Sequence, residues 1–487
     1  RLIFLTEGSF LRYLRGNPEL TGVAAVVLDE FHERHLATDL AYGFLLTRLR
    51  SGGKVPRLLI MSATLDEGPL RQHFPDLAKV VVETPVHPLT LEYAPTDVEW
   101  SRRPLERKVT WGIQSAWRHP GDLLVFLPGL GEIKRVRDLL LERLPEEGVK
   151  VLLLHGQESS PEHEIMKPSP DHRRIILASS VAESSLTIPG VRVVVDAGLA
   201  REAVYDAWSG VSALVTGPCS RASAIQRAGR AARTHPGACV RLYTEADFNS
   251  RPPFSTPEIL KADLAEVLLE LAWWRLDPDH FPWPTPPTDG AFAHARTLLT
   301  ELGALDGHAL SEVGGAMSEV PLPPRHARVW VEARAQGSPT AFREACRLLA
   351  QWLETGPGVR RLADRLEKGG GQGRAEHAEA FFLAGFPERI CRARGSDDVI
   401  TVAGETYRLG QEVRSWWDER RPYWLLLEVN GKLKQASRLL PLEEDWVRAR
   451  AMWTQEEAFD PARAKVVRRH FLRLGALTLE TREEVLK

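Results

Sequence analysis

Cysteine is scarce: four residues in 487, with no CxxC pair among them. A disulfide framework and a cysteine-rich zinc site are therefore both excluded as organising features, and Cys219, Cys239, Cys346 and Cys391 are expected to be reduced and structural. Long apolar runs are also missing. None approaches the roughly 18 residues that cross a bilayer, and the N-terminus lacks the basic-then-apolar pattern of a signal peptide, so a cytoplasmic protein with no membrane partner is expected. Excess charge of either sign is absent as well, since 63 Lys+Arg against 65 Asp+Glu leave a net −2. That balance removes the simplest argument for a nucleic-acid partner without opposing it, because a binding channel needs local basic groups and not a basic protein. Methionine is rare, the chain starts at Arg1, and its first methionine is Met61, which leads to the expectation of further residues upstream.

What is present is an ordinary 43% of hydrophobic residues in a chain too long for one core, so several domains are expected. Up to about Ser250 short apolar runs alternate with helical stretches: Val23 to Leu28, Leu58 to Met61, Leu123 to Leu127, Val149 to Leu154, Arg174 to Leu177 and Val191 to Val195. Continuous Val/Ile/Leu runs of this length suit strands buried on both faces of a parallel sheet, which makes the class α/β. Conspicuous polar residues follow directly on the runs, in AVVLDEFH, LLIMSATL, LLVFLPGLGEI, IILASSVAESSLTI and VVVDAGLA. Open parallel sheets bind ligands beyond the carboxyl ends of their strands, and this is where those residues fall. Thr84 to Pro95 reads as a connector between two such sheets. Amphipathic helices follow from ILKADLAEVLLELAWWRL, are broken by FPWPTPPTDG, and continue from Ala291 to about Glu379, interrupted only by a short disordered tract, KGGGQGR, near Lys368. From about Pro387 to Pro441 the shorter apolar runs predict a small β-barrel.

Three of the motifs carry chemistry. Asp29 and Glu30 end an apolar strand in the manner of a Walker-B pair, the first carboxylate suited to a nucleotide-bound Mg²⁺ and the second to orienting or deprotonating the attacking water; acidic pairs at solvated strand ends are the competing reading. His32 and the S-A-T of Ser62 to Thr64 stand where short polar groups sense the acidic pair, against the plainer alternatives of a structural histidine and a helix cap. In QRAGRAAR, from Gln226 to Arg233, arginines at 227, 230 and 233 share one helix face, which suits either phosphoryl-transfer charge or simple solvation.

Taken in order, DEFH at 29 to 32, SAT at 62 to 64, SSVAESSLTIPGV at 179 to 191 and QRAGRAAR at 226 to 233 resemble motifs II, III, V and VI of the DEAH/RHA helicases. LTEGSFLRYL, with Thr6, Glu7 and Gly8, is similar to the family's motif Ib and FLPGLGEI to its motif IV, while DEFH in place of DEAH together with FFLAGFPERI resembles the bacterial HrpB branch. The resemblance implies an ATP-driven RNA or DNA helicase that closes and opens two RecA-like domains along single-stranded nucleic acid, with ATP and Mg²⁺ as cofactors. It implies the last part of a first RecA-like domain over 1–85, a second over 86–250, a winged-helix-like segment over 251–320, a ratchet-like helical bundle over 321–385, an OB-like barrel over 386–445, and from 446 to 487 the start of an HrpB-type C-terminal region.

Carried over by residue, the resemblance makes Asp29 the Mg²⁺ ligand, Glu30 the catalytic base, Gln226 the residue that positions water, and Arg230 and Arg233 the fingers. His32, Ser62 and Thr64 couple the site to the nucleic acid, Ser185 and Thr187 lie by the nucleotide, and Thr6 and Ser179 face the nucleic-acid backbone. The chain departs from the pattern at Ser179-Ser180, where the family has Thr-Asn, and at Ala232, where it has glycine. No GxxxxGK[ST] occurs in these residues, and the phosphate-cradling loop is expected upstream of Arg1. Without that loop, a nucleic-acid-binding module that does not hydrolyse nucleotide is the competing functional reading. RNA and DNA stay open at this stage, because phosphate contacts carry no base information.

Overall fold

The apolar runs become strands where their composition predicts them. The computed structural model describes every residue except 53–55, 64–66, 83–86, 144–147, 157, 169–170, 184–186, 207–210, 355–356, 416, 419, 431–433, 461–464 and 486–487. Its first strands are β1 (Ala25–Leu28), β2 (Arg57–Ile60), β3 (Leu89–Tyr93), β4 (Asp122–Phe126), β5 (Val149–Leu154), β6 (Arg173–Ala178) and β7 (Val191–Asp196), followed by a hairpin of β8 (Leu199–Asp206) and β9 (Val211–Pro218) and by β10 (Gly237–Arg241). β1 and β2 form a parallel pair, and a six-stranded parallel sheet runs in the order β3-β10-β7-β4-β6-β5.

Both faces of the six-stranded sheet are covered, which accounts for its unbroken apolar runs. On one face Leu123, Val125, Leu177, Val193 and Val195 pack with Val109, Ile113, Val136 and Leu140 of two helices, Leu105–Ala116 and Leu130–Leu141. On the other, Leu124, Phe126, Ile176 and Val194 meet Ala228 and Ala231, so the small residues between the arginines of QRAGRAAR are what let that segment lie close to the sheet. Two expectations are corrected here. The connector Thr84 to Pro95 contains β3, whose alternating LTLEY forms an edge strand beside β10. β1 and β2, predicted to be buried on both faces, alternate among the described residues: Val26 and Leu28 are buried while Val27 and Leu59 are each 46% exposed.

The chain divides into two compact units, one made of Arg1–Val204, Leu214–Ala262 and Phe281–Thr288 and the other of the remainder. The proline-rich break thus belongs with the first unit, and its role there is concrete. Phe281 and Trp283 are buried, Phe281 lies edge-on to Phe44 with ring centroids 5.5 Å apart, and His73 Nε2 meets the Trp283 carbonyl at 3.0 Å. The helix Leu36–Arg50 carries Gly43 beneath this strap, and a Cβ at that position would sit 2.1 Å from Phe281 Cε1. A glycine in mid-helix costs about 1 kcal/mol relative to alanine, and here it lets an aromatic ring rest on the helix backbone.

In the second unit, helices Ala265–Trp273, Ala291–Glu301 and Glu312–Ser318 surround a short ladder of β11 (Leu305–Asp306) and β12 (Ala309–Leu310), and helices Pro324–Gln336, Pro339–Leu353 and Pro357–Leu366 form a bundle. KGGGQGR is an ordered loop, not the disordered tract predicted from its glycines: Gln372 N donates to Arg334 O at 2.8 Å and Gly373 N to Gly337 O at 3.0 Å. A Cβ on Gly373 would fall 2.1 Å from the Gln336 carbonyl oxygen, so the glycine serves close packing. The barrel predicted from Pro387 to Pro441 is closed by β13 (Ile390–Arg394), β14 (Asp398–Thr401), β15 (Thr406–Leu409), β16 (Tyr423–Asn430) and β17 (Gln435–Pro441) around Cys391, Val399, Leu409, Trp424, Leu426 and Leu439. An antiparallel sheet of β18 (Met452–Asp460), β19 (Lys465–Leu474) and β20 (Leu477–Val485) follows, laced by cross-strand pairs such as Arg468 with Glu457 and Arg469 with Glu483.

Candidate active site

The acidic pair stands on an unusual turn. β1 ends at Leu28, and the Asp29 carboxylate accepts from Glu30 N at 2.9 Å. Glu30 is left-handed, with φ 50° and ψ 36°; a single 3₁₀ turn, Phe31–Glu33, follows, and Arg34 is left-handed again at φ 52°. Non-glycine residues enter that region at a cost of about 1–2 kcal/mol each, so the surroundings must hold them there. Phe31 is 2% exposed and packs on Tyr42, and Phe31 N donates to Met61 O at 3.1 Å while Met61 N donates to Leu28 O at 2.8 Å. The DEFH turn and the SAT turn are thereby bound together by their backbones.

His32 sits at the centre of the site. Its Nδ1 lies 3.1 Å from Ser62 Oγ and 3.5 Å from Glu30 Oε2, and its Nε2 is hydrogen-bonded to the side-chain amide of Gln226. Because Gln226 Nε2 can only donate, His32 Nε2 accepts, and the proton of the neutral ring is assigned to Nδ1, facing Ser62 and Glu30. One imidazole therefore joins the acidic turn, the SAT turn and QRAGRAAR across 194 residues of sequence. Gln226, expected to position water, points its amide at His32 in this structure.

The helix Arg221–Gly229, capped by Ser220, tightens at its end into the 3₁₀ turn Arg230–Ala232. The three arginines of this segment do not share one role, as an all-α face would have them do. Arg227 is turned inward, 1% exposed, and gives Nε to Glu183 at 2.7 Å and Nη1 to Asp196 at 2.9 Å and to the Leu199 carbonyl at 3.0 Å. Burial works against its charge, but Asp196 and Glu183 outweigh it and hold the guanidinium above its ordinary pKa. Arg230 donates to the Glu183 carbonyl and Arg233 to Thr187 Oγ1, and the two line a small cleft with Thr187, Ile188, Val191 and Thr234. Burial, and after it the charge of Arg233, pull Arg230 down to about 10, while Glu30 and Glu183 pull the other way; burial lowers Arg233 as well, again against Glu30. Buried Arg230 and the more exposed Arg233 thus give the cleft an anion-accepting side and feel the charge of Glu30.

The other predicted residues fall in several places. Thr6 caps the helix Glu7–Gly16, its Oγ1 bonded to Ser9 Oγ at 2.8 Å, and is exposed. Ser179 is 6% exposed at the end of β6, whereas Ser180 beside it is open to solvent. Thr187 joins the arginine cleft; Thr64 and Ser185 lie outside the described residues. Two residues lie within segments the sequence draws attention to but receive no role there: Glu183, which also accepts from Ser223 Oγ at 2.7 Å, and Asp196, which takes Gly198 N at 2.9 Å and the Tyr243 hydroxyl at 2.8 Å. A usable signal exists for Asp196 alone, the carboxylate that ends an otherwise apolar VRVVVD strand.

Comparison with known proteins bears on the family and the fold. Residues 112–235 match the helicase conserved C-terminal domain. The chain is 34% identical over 421 residues to the ATP-dependent RNA helicase HrpB of Escherichia coli K12, covering 83% of this chain and 52% of that protein, and 34% identical over 343 residues to the ATP-dependent RNA helicase HrpA of the same organism, covering 68% and 26%. It spans about half the length of the first of these relatives and about a quarter of the second. Two crystal structures of E. coli HrpB superpose with TM-scores of 0.83 and 0.85 at 29% and 30% identity, over 99% and 98% of this chain and 62% and 63% of theirs. No helix among the described residues is long and apolar enough to cross a membrane. The motifs in their order, the parallel sheets that carry them and the closed barrel that follows place the chain in the DEAH/RHA helicase family, in its HrpB-like branch.

Proposed function

We propose that this protein is an ATP-dependent helicase acting on single-stranded RNA in preference to DNA; the relatives it matches are named ATP-dependent RNA helicases. The observation that supports the reading is His32, which contacts both Glu30 and Gln226, with Arg230 and Arg233 following Gln226 in the same segment and feeling the Glu30 charge. Bound nucleotide with Mg²⁺ would supply the electrophilic phosphorus and part of the charge neutralisation, and Asp29 is the carboxylate that would hold the cation. Glu30 orients the attacking water and accepts its proton, and His32 fixes Glu30 from the side through Nδ1. Arg230 and Arg233 stabilise charge developing on the transferred phosphoryl oxygens, Arg230 held by burial and the Glu183 carbonyl and Arg233 by Thr187. Gln226 exchanges between His32 and the water, which makes the His32 contact the coupling element. On the nucleic-acid side, Thr6 and the exposed Ser180, in place of the buried Ser179, contact backbone phosphates.

The test is RNA-stimulated ATP hydrolysis by the full-length protein beside its Glu30→Gln and Arg230→Ala variants. Loss of the base costs on the order of 10²- to 10⁴-fold and loss of a finger about 10³-fold or more. Undiminished turnover in Glu30→Gln, or stimulation by DNA equal to that by RNA, contradicts the corresponding part of the proposal.

A further inference from the structure

The helix that follows the acidic turn has no cap of its own. Leu36–Arg50 begins after His35, whose side chain caps nothing; Leu36 N donates instead to Glu258 Oε2 at 2.8 Å, from a residue 222 positions downstream. Glu258 returns a second bond through its backbone, its N–H donating to the carbonyl of left-handed Arg34 at 3.1 Å. The same carboxylate lies 3.5 Å from His35 Nδ1, and His35 Nε2 meets Glu33 Oε2 at 3.0 Å. Arg34 is held from its other side by Asp39, which takes Nε and Nη2 at 3.0 Å each and is fully buried, and by Thr285 Oγ1 at 2.8 Å. Glu258 stands beyond β10, the last strand in sequence of the six-stranded sheet, in a 3₁₀ turn Glu258–Leu260, so the chain leaving that sheet is fastened to the far end of the Asp29–Arg34 turn.

From this geometry we propose that Glu258 is a positioning residue for ATP hydrolysis: it caps the helix Leu36–Arg50 in trans, fixes Arg34, and so sets the direction of the Glu30 carboxylate. The inference rests on the reading of Glu30 as the base. Glu30 and Arg34 are the two left-handed ends of one short turn, so neither φ relaxes without moving the other across the three residues between. Phe31, buried against Tyr42, acts as the pivot. A carboxylate at an otherwise uncapped helix start also meets the positive end of the helix dipole, which favours its charged form there. Because Glu258 touches no substrate, its loss alters alignment and leaves binding intact.

The experiment measures RNA-stimulated ATPase kinetics of the full-length protein and its Glu258→Ala, Glu258→Gln and Glu30→Gln variants. Misalignment of a catalytic group by a fraction of an ångström to an ångström costs up to about 10²-fold, so Glu258→Ala is expected to lower kcat by roughly 10- to 100-fold with KM for ATP changed less than about twofold. Glu258→Gln, whose amide oxygen still accepts from Leu36 N, is expected to recover most of kcat. Wild-type kcat in Glu258→Ala, a rise in KM alone, or Glu258→Gln as impaired as Glu258→Ala overturns the inference. Should Glu258→Ala fail to fold, Glu258→Asp, one methylene short of Leu36 N, takes its place: reduced kcat supports the proposal and wild-type kcat overturns it. Glu30→Gln separates the two levels, since full turnover there removes the reading of the base, whereas its loss beside an unaffected Glu258→Ala removes only the role of Glu258.

Discussion

Replacing Arg227 by methionine tests what holds the arginine segment against the second sheet. The guanidinium is 1% exposed and gives hydrogen bonds to Glu183, to Asp196 and to the Leu199 carbonyl, and it lies 5.2 Å from the Phe126 ring centroid. Methionine keeps much of the volume but leaves Asp196, itself 0% exposed, with Gly198 N and the Tyr243 hydroxyl as its remaining partners among the described residues. Removing one member of a buried ion pair costs about 3–5 kcal/mol, most of it from the charge left behind. For a domain of this size that is a fall in melting temperature on the order of 10 °C. Guanidinium unfolding followed by tryptophan fluorescence is a suitable assay, because Trp100 and Trp111 pack into the core of the same sheet. If the orphaned carboxylate is the cause, adding Asp196→Asn to Arg227→Met should recover more than about 1 kcal/mol relative to the sum of the two single changes. A cost for Arg227→Met below about 1 kcal/mol, or strict additivity in the double variant, refutes the reasoning.

Two further outcomes are expected. Glu258 and Glu33 raise His35 from 6.5 to about 10 against the opposing effect of burial, with the charges of Arg34 and Asp39 close by. A histidine whose folded pKa is raised contributes fully below its unfolded value and loses that contribution as pH rises through the folded one. Melting temperature should therefore fall between pH 6.5 and about 10 with a component that His35→Gln abolishes, modest because half of the ring is in water; equal slopes in both proteins reject it. Gly43→Ala should cost about 1–3 kcal/mol by overpacking, since the new methyl meets Phe281 Cε1 at 2.1 Å. Thermal denaturation checks this, and the change should cost less in a Phe281→Ala background; a neutral Gly43→Ala shows that the strap lies elsewhere.

How much of this was legible in sequence depended on whether the signal was local. Buried strands announce themselves by composition, and six of those in the two parallel sheets lie within two residues of the apolar runs that predict them. β3 and β10 did not stand out, because LTLEY and GACVR mix polar and apolar residues and draw their stability from neighbouring strands rather than from their own composition. KGGGQGR misled for a related reason: glycine permits both disorder and close backbone packing, and only the presence of the Gln336 and Gly337 carbonyls decides between them. At the site, Asp29, Glu30, His32, Gln226, Arg230 and Arg233 were visible as motifs. The inward turn of Arg227 was not, since a spacing of three residues is shared by an α-helical face and by a helix that tightens into a 3₁₀ turn after Gly229.

The contacts that sequence could not show share one property: each reaches the acidic turn from far along the chain. Ser62 reaches His32 from 30 residues away, Gln226 from 194, Glu258 reaches Leu36 from 222, and Thr285 reaches Arg34 from 251. Together with the Met61 carbonyl on Phe31 N, these contacts surround a turn of six residues that contains two left-handed non-glycine positions. A turn strained by about 1–2 kcal/mol at each end does not hold its shape by itself, and the contacts required to hold it come from the SAT turn, the arginine segment and the chain leaving the second sheet. Any change in one of these three is then felt as a change in the support of Glu30. Such a turn suits an enzyme that must hydrolyse only when its parts are in register, because the base is aligned by the same contacts that report where those parts are.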